Sequence, residues 1–242
     1  MIRSDGRKLD EIRQISFELG TFPYAEGSST IIMGNTKVLC AASVEEKVPK
    51  FLRGKGSGWI TAEYSMLPRS THTRKNRDID GRSREIMRFI GRSFRSIVDL
   101  RALGERTIVL DCDVLQADGG TRTAAINGGF LALYQAIFEL QRLSRLEGNP
   151  ISHQVGALSA GIVDEEILID LSYEEDVKAQ VDLNIVGTEK NYLVEIQGTA
   201  EKEPFSQEVL DKMIKKTFLE MKKIFAAQKA CIKDKLGLNL QF

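Results

Sequence analysis

The feature that most constrains the fold is the run Ile108–Arg122, IVLDCDVLQADGGTR, which leads from a strand pattern into a pair of glycines. Every second residue from Ile108 to Val114 is apolar, so these side chains share one face of a predicted strand. Gly119 and Gly120 allow a close approach of the backbone to another group, or a positive φ, without a Cβ clash. The run therefore predicts a buried strand, a tight turn and a helix that follows it.

The residues after the two glycines suggest an anion site. Thr121 offers a hydroxyl and a backbone N–H where the next helix begins, and free N–H groups at a helix N-terminus attract anions. Arg122 adds a forked donor suited to phosphate. A strand-to-helix turn with a capping threonine is the alternative interpretation. We favour phosphate, because an arginine follows directly and more arginines lie upstream.

Composition excludes several classes of protein. The 242 residues carry 34 Lys and Arg against 34 Asp and Glu, so a nucleic-acid partner would need a local basic patch. The three cysteines are far apart, which argues against a zinc site or a disulfide framework and fits a reducing compartment, the cytoplasm. We expect Cys40 and Cys112 to be buried thiols. The charged N-terminus predicts no signal peptide, and no apolar stretch is long enough to span a bilayer.

The remaining pattern mixes strands and helices. Hairpins are predicted at residues 29–43, through Gly34 and Asn35, and at residues 155–171. A helix rich in small residues should run from Arg122 to about Ser144 and lie buried, and a long helix should close the chain at residues 206–233. Gly148 to Pro150 is the candidate midpoint between two halves, about 1–148 and 149–242, of a single domain.

A basic segment, residues 69–101, holds ten Lys or Arg against four acids. Its first part lacks apolar periodicity and predicts a loop, and its second part predicts an amphipathic helix. Arg84, Arg88, Arg92 and Arg95 share one side of this helix, so we expect them to face solvent or a partner. A solvated charged face and a phosphate-backbone partner both fit this pattern.

Two acids are candidates for chemistry. Asp176 lies in an acidic turn and Asp182 in a strand; together they could hold Mg²⁺, or one of them could protonate a leaving oxygen. Glu174 and Glu175 are interpreted as solvated turn residues. The histidines lie in polar contexts without a partner pattern, so no histidine triad is expected. Arginines with two aspartates suit phosphoryl chemistry.

At this point the chain resembles the bacterial ribonuclease PH family from end to end. The matching segments are residues 5–13, 26–45, 51–70, 104–123, 168–186 and 194–206. The resemblance implies an α+β fold of two related halves of mixed sheet and helices, like the second domain of ribosomal protein S5. It also implies a phosphorolytic 3′-to-5′ exoribonuclease that trims tRNA precursors by using inorganic phosphate as co-substrate, releases nucleoside diphosphates and can run in reverse. The implied assembly is a homo-hexamer, a trimer of dimers.

The resemblance also implies roles for individual residues. Gly120, Thr121 and Arg122 match the family's phosphate-binding motif, and Arg82 matches the arginine that joins them. Asp176 and Asp182 match the two aspartates linked to metal binding and acid catalysis; we favour Asp182 as the general acid and Asp176 as a metal ligand. The basic loop that grips tRNA in the family is matched by three residues: Arg69, Arg74 and Arg77.

Two departures and three rival functions accompany the resemblance. The loop between Arg77 and Gly81 is shorter than in familiar members, and Arg84 and Met87 replace residues that the family often has there. The nearest rival is a phosphorolytic ring subunit of the exosome or polynucleotide phosphorylase type. A non-catalytic RNA-binding ring subunit predicts loss of the arginine or aspartate set, which is present here. A hydrolytic nuclease would usually bring more carboxylates around two metals.

Overall fold

The computed structural model describes residues 3–240, which form two β-sheets and five α-helices. The strands are β1 (Ile15–Leu19), β2 (Gly27–Met33), β3 (Thr36–Glu45), β4 (Trp59–Met66), β5 (Thr107–Gln116), β6 (Val155–Val163), β7 (Glu166–Ile169), β8 (Val181–Thr188) and β9 (Leu193–Ala200). The helices are α1 (Gly81–Arg95), α2 (Leu100–Leu103), α3 (Thr121–Arg142), α4 (Tyr173–Lys178) and α5 (Gln207–Leu236). No helix within residues 3–240 combines the length and apolar character needed to cross a membrane.

The first sheet has the strand order β1-β2-β3-β5-β4. Its pairs are antiparallel except for β4 and β5, which run parallel with Tyr64 opposite Cys112. Strands β2 and β3 form the hairpin predicted from the sequence, because the two residues between Met33 and Thr36 complete a tight turn. The parallel pairing brings the end of β4 beside the end of β5, where the two glycines follow.

The second sheet has the order β7-β6-β8-β9 and is antiparallel throughout. The predicted hairpin of β6 and β7 turns through Asp164 and Glu165, both of which have positive φ. Strand β8 pairs with both β6 and β9, so Asp182 lies opposite Gly161 on one side and Thr199 on the other. The second residue of β8 therefore sits in the middle of its sheet.

Helix α3 packs against β2 and β3 of the first sheet and against β6 of the second. Its small residues are required by this packing. A Cβ at Gly128 would lie 2.9 Å from Cγ2 of Ile31, and a Cβ at Gly129 would lie 3.0 Å from Cζ of Phe94. The prediction of a central buried helix is confirmed.

Helix α1 buries its predicted apolar side, including Phe89 and Phe94. The prediction for its arginine side was wrong only at Arg95, which is half-buried, whereas Arg84, Arg88 and Arg92 are exposed. Arg92 forms an ion pair with Glu195 of β9, and Arg95 donates to the Ile60 carbonyl at 2.7 Å while stacking over the Trp59 ring. These two arginines fasten α1 to the edges of both sheets, and Arg92 remains 47% exposed while it does so.

Buried amides join the two halves. The Asn127 side chain on α3 donates to the Ala157 carbonyl at 2.8 Å and accepts from the Ala157 N–H at 2.7 Å. Gln228 on α5 donates to the carbonyls of Asn127 and Val155 at 3.1 and 3.2 Å. A hydrogen-bonded amide between α3 and β6 fixes one register between the halves, because a shifted register would leave buried polar atoms unpaired.

Candidate active site

The turn between β5 and α3 requires both of its glycines. Gly119 and Gly120 have φ of +72° and +64°, a region that side chains with a Cβ rarely adopt. A Cβ at Gly119 would also lie 2.4 Å from the Leu171 carbonyl oxygen. The turn thus passes directly against the segment that leads into α4, and it delivers Thr121 as the first residue of α3.

A buried ion pair between Arg13 and Asp170 supports this turn. The Asp170 carboxylate is fully buried and accepts from the Arg13 guanidinium at 2.9 and 2.6 Å. Arg13 also donates to the carbonyls of Asp118 and Gly119, and the Thr36 hydroxyl donates to the Gly119 carbonyl at 2.7 Å. The sequence gives no signal for this support, because Arg13 and Asp170 lie 157 positions apart.

Thr121 has a buried partner that sequence reasoning missed. The hydroxyl of Tyr64, near the end of β4, lies 2.8 Å from the Thr121 hydroxyl oxygen. Tyr64 is only 2% exposed, and burial raises the pKa of its hydroxyl. The tyrosine is therefore a neutral hydrogen-bonding group that fixes the threonine rotamer at the mouth of the helix.

The predicted phosphate and acid residues line one cavity of 380 Å³. Its wall includes all six of these residues: Arg82, Gly120, Thr121, Arg122, Asp176 and Asp182. They come from four elements, namely the second residue of α1, the turn with the first turn of α3, helix α4, and the second residue of β8. The structure thus brings together positions up to 100 residues apart around one space.

A second, wider cavity of 740 Å³ adjoins the first. Arg82, Arg122, Asp176 and Asp182 line both spaces together with the uncharged Asn184, so these five side chains form the wall between them. The strand β9 supplies the far side of the wider cavity. Groups in the shared wall can act on a molecule that extends from one cavity into the other.

Burial governs the acid–base properties of the two aspartates. Burial raises the pKa of Asp182 to about 6; the Asp176 charge adds to the rise, and Arg122 and Arg82 oppose it. Burial also raises the pKa of Asp176, again opposed by the two arginines. Asp182 can therefore hold or release a proton near neutral pH, as a general acid must.

The acidic segment 172–176 is helical, which the sequence analysis did not predict. Residues Tyr173–Lys178 form the short helix α4, and Glu175 accepts from the Ser172 N–H at 2.8 Å at its start. The interpretation of Glu175 as a solvated residue was wrong: its carboxylate is buried and pairs with Arg3 at 2.6 Å. Glu174 is exposed, as expected. The Glu175 pair holds α4 so that Asp176 faces the cavity.

The predicted basic loop lies beside the cavity. Lys75, His72 and Thr73 of this loop line the 380 Å³ cavity, although the sequence analysis gave His72 no role. Arg69 lines an adjoining space of 1170 Å³, and Arg77 lines a small pocket of 50 Å³ against the start of α1. Arg74 is exposed on the same loop. None of the three arginines lines the 380 Å³ cavity itself.

The residues present fit a magnesium ion. Within residues 3–240, no three His, Cys, Asp or Glu side chains converge as a closed metal site. Asp176 and Asp182 instead offer two carboxylates on one wall, and Mg²⁺ prefers one or two carboxylates together with water and phosphate oxygens. Both carboxylates have raised pKa values, so each lacks a fully compensating positive charge.

Sequence comparison connects both halves of the chain to known proteins. A model described as the 3′ exoribonuclease family, domain 1, matches residues 11–139, and a model of domain 2 of the same family matches residues 153–218. The chain is 50% identical over 239 residues to ribonuclease PH of Moorella thermoacetica, across 97% of this chain and 96% of that protein.

Solved structures share the fold. Rrp46 of rice (Oryza sativa) superimposes with a TM-score of 0.78 at 20% identity, across 93% of this chain and 98% of that chain. A structure of the Archaeoglobus fulgidus exosome with RNA bound to its active site gives a TM-score of 0.80 at 22% identity, across 93% and 91%. At these identities the likeness concerns the fold alone. The predicted α+β fold of two sheets with helices is confirmed.

Proposed function

The chain belongs to the ribonuclease PH family of 3′ exoribonucleases and is a phosphorolytic 3′-to-5′ exoribonuclease; we propose that it trims the 3′ ends of tRNA precursors and other structured RNA. In this reaction inorganic phosphate is the co-substrate and nucleoside diphosphates are released. The reverse reaction adds nucleotides to RNA 3′ ends. The observation that carries the residue assignments is the single wall formed by Arg82, Arg122, Asp176 and Asp182 beside the N-terminus of α3.

Phosphate binds at the glycine turn. The N-terminus of α3 presents backbone N–H groups and the positive end of a helix dipole, and Thr121 adds a hydroxyl. Arg122 and Arg82 supply guanidinium donors on the same wall, and charge-assisted hydrogen bonds to phosphate are among the strongest in proteins. These groups orient one phosphate oxygen toward the terminal phosphodiester of the RNA.

The chemical step is an in-line displacement. A phosphate oxygen forms a bond to the terminal phosphorus while the bond from that phosphorus to the 3′ oxygen of the preceding nucleotide breaks. Asp182 gives its proton to this leaving oxygen, because its raised pKa of about 6 keeps part of the population protonated near neutral pH. Arg82 and Arg122 stabilise the charge that develops on the phosphoryl oxygens.

Asp176 is the proposed principal ligand of Mg²⁺, and Asp182 would be a ligand only in its deprotonated form, after it has given up its proton. A bound Mg²⁺ would neutralise charge on the phosphoryl oxygens. The two carboxylates line the same wall, where they would hold the ion beside the bound phosphoryl oxygens.

Substrate grip and assembly extend beyond this wall. Arg69, Arg74 and Arg77 are the proposed contacts to the phosphate backbone of tRNA, since the loop that carries them borders the cavity.

We propose one domain with halves of about 1–148 and 149–242, assembled as a homo-hexamer of three dimers. The cytoplasm is the proposed compartment, supported by three free cysteines.

The deciding experiment is an assay of purified protein with a 3′-extended tRNA and Mg²⁺, with and without inorganic phosphate. Release of nucleoside diphosphates only with phosphate is the expected result. Nucleoside monophosphates released without phosphate would identify a hydrolase. RNA binding without any release would instead indicate a non-catalytic ring subunit.

The assignment of Arg122 has its own test. Arg122→Ala should lose saturation by phosphate and most turnover while RNA binding persists, because the substitution removes a phosphate donor and leaves the basic loop intact. Arg142→Ala, at the far end of the same helix, is the matched control. A variant at 122 that kept the wild-type dependence on phosphate would overturn the assignment.

A further inference from the structure

The guanidinium of Arg122 is hydrogen-bonded to an uncharged amide, the side chain of Gln197. Its Nη1 donates to the Gln197 side-chain oxygen at 3.2 Å, and the Arg122 side chain is only 15% exposed. The nearest carboxylate, that of Glu85, lies 3.8 Å from the same nitrogen and is half exposed, so solvent weakens the pair. The contact that orients Arg122 is therefore the one to Gln197.

The Gln197 amide is itself oriented by a charged partner. Its Nε2 donates to the Glu195 carboxylate at 3.4 Å. Glu195 and Gln197 lie two positions apart on β9, so their side chains share one face of the strand. An ionised carboxylate can only accept hydrogen bonds, so Glu195 faces the NH2 group of Gln197 and the amide oxygen is left toward Arg122.

Glu195 is engaged in turn by α1. Arg92 donates to its two carboxylate oxygens, at 3.1 Å from Nε and with a second bond from Nη2. Glu195 is 15% exposed. Arg92 is 47% exposed, so solvent weakens this pair too, but its two hydrogen bonds keep the carboxylate where it orients Gln197 instead of approaching Arg122.

We propose that Gln197 is a positioning residue for phosphate binding, with Glu195 and Arg92 as its anchors. This inference rests on the proposed role of Arg122 in phosphorolysis. An amide can fix the orientation of the guanidinium without neutralising it, whereas a carboxylate at the same place would compete with the incoming phosphate. Glu195, the acid in this series of contacts, pairs with Arg92. Arg122 therefore keeps its positive charge for the incoming phosphate.

A purely structural role gives a different expectation. In that case Arg92 and Glu195 would only fasten the edge strand β9 to α1, and changes at 195 or 197 would lower stability without a selective effect on phosphate. The KM for phosphate, measured separately from the KM for RNA, distinguishes the two roles.

The experiment compares Gln197→Leu and Gln197→Glu with wild type, at saturating RNA and varied phosphate. Loss of the orienting hydrogen bond in Gln197→Leu should raise the KM for phosphate about three- to tenfold and leave the KM for RNA unchanged. Gln197→Glu should raise it further, because the new carboxylate pairs with Arg122. Glu195→Gln should give a smaller rise in the same constant.

Controls and a second readout separate the possible failures. Gln207→Leu and Gln207→Glu repeat the substitutions at an exposed position and should match wild type. The rise in unfolding temperature with added phosphate reports binding without turnover, and in Gln197→Leu it should need more phosphate. A wild-type protein that releases monophosphates without phosphate would overturn the proposed function. If wild type performs phosphorolysis and Gln197→Leu keeps its phosphate KM, the inference about Gln197 alone is overturned.

Discussion

At the scale of single residues, the groups proposed to bind phosphate are held in place by hydrogen bonds from neighbouring side chains. Tyr64 approaches Thr121 from the core side, as Gln197 approaches Arg122 from β9. Each neighbour removes rotational freedom from a side chain before phosphate arrives. Affinity gained in this way comes from preorganisation and not from an additional bond to the ligand.

Tyr64→Phe tests this preorganisation with the loss of one oxygen atom. We expect the KM for phosphate to rise about three- to tenfold, the effect of losing one hydrogen bond, with no change in the KM for RNA. Tyr134→Phe is the matched control, because Tyr134 is half-buried on α3 and packs against Phe130 well away from the turn. Equal phosphate KM values in the two variants would remove Tyr64 from the site.

Asp182 should make stability depend on pH. Its pKa is raised from 3.8 to about 6 in the folded protein, so the folded state binds the proton more tightly than the unfolded chain. The charged carboxylate therefore costs stability above pH 6, and this cost disappears as pH falls from about 6 toward 4.

Asp182→Asn should accordingly raise the free energy of unfolding at pH 8 by about 1–3 kcal/mol, and the difference should vanish near pH 4. Urea unfolding in EDTA and without phosphate is the measurement. Asp164→Asn in the exposed β6–β7 turn is the control, the same substitution at an aspartate outside the cavity. A less stable Asp182→Asn protein at pH 8 would show that the carboxylate is compensated by contacts that the burial argument omits.

At the scale of elements, local patterns predicted most of the fold. Alternation from Ile108 to Val114 and the two-residue turn after Met33 are local signals, and both the strand and the hairpin are present. Helix α4 was missed because it has only six residues and depends on Glu175, whose partner Arg3 lies 172 positions away. Periodicity cannot report a contact of that separation.

The arginines of α1 show the same limit. Their spacing correctly predicted one helical side, but Arg92 and Arg95 meet partners on β9 and β4. The candidate site was predicted more completely, because a glycine pair followed by a hydroxyl and an arginine constrains its own surroundings. The groups that orient the site, Gln197 among them, come from segments that carry no such motif.

The basic loop can be tested as one element. Replacement of Arg69, Arg74 and Arg77 by Ala should weaken RNA binding and lower the slope of log affinity against log salt by about two, because each backbone contact releases counterions. Fluorescence anisotropy with labelled tRNA at several salt concentrations measures both. Replacement of three exposed lysines on α5 is the control with the same charge change: Lys215, Lys222 and Lys229. Unchanged affinity at low salt would exclude the loop from RNA binding.

At the scale of the whole molecule, the N-terminal segment fastens the two halves together beneath the site. Asp170, in the second half, accepts from Arg13 and from Arg7, and it is fully buried. These pairs could not be predicted from the sequence, since Arg13 and Asp170 lie 157 positions apart and no local pattern joins them. Arg13 also donates to the Asp118 carbonyl, so it holds the turn at Gly119 and Gly120 as well.

Asp170→Asn should therefore destabilise the protein by about 3–5 kcal/mol, because it leaves the guanidinium of Arg13 buried without its counter-charge. Asparagine tolerates the positive φ of 58° at this position, so the backbone is not the cause. Asp5→Asn is the contrast: the Asp5 side chain is 41% exposed and its partner Arg7 keeps ion pairs with Asp170 and Glu175, so the loss should be at most about 1 kcal/mol. Chemical denaturation of the two variants measures the difference, and equal losses would contradict the burial argument.

Cys40 on β3 and Cys112 on β5 are free thiols that lie opposite each other. Their reactivity should report how often α3 separates from the first sheet. Both sulfur atoms lie under α3, 3.7 and 4.0 Å from the Ala125 carbonyl, and the contact with Cys40 together with burial raises the pKa of the Cys112 thiol. Thiol reagents attack the thiolate, so these two cysteines should react only when α3 lifts from the sheet. Half-exposed Cys231 should react first. Phosphate bound at the N-terminus of α3 should then slow the two late reactions and leave the early one unchanged.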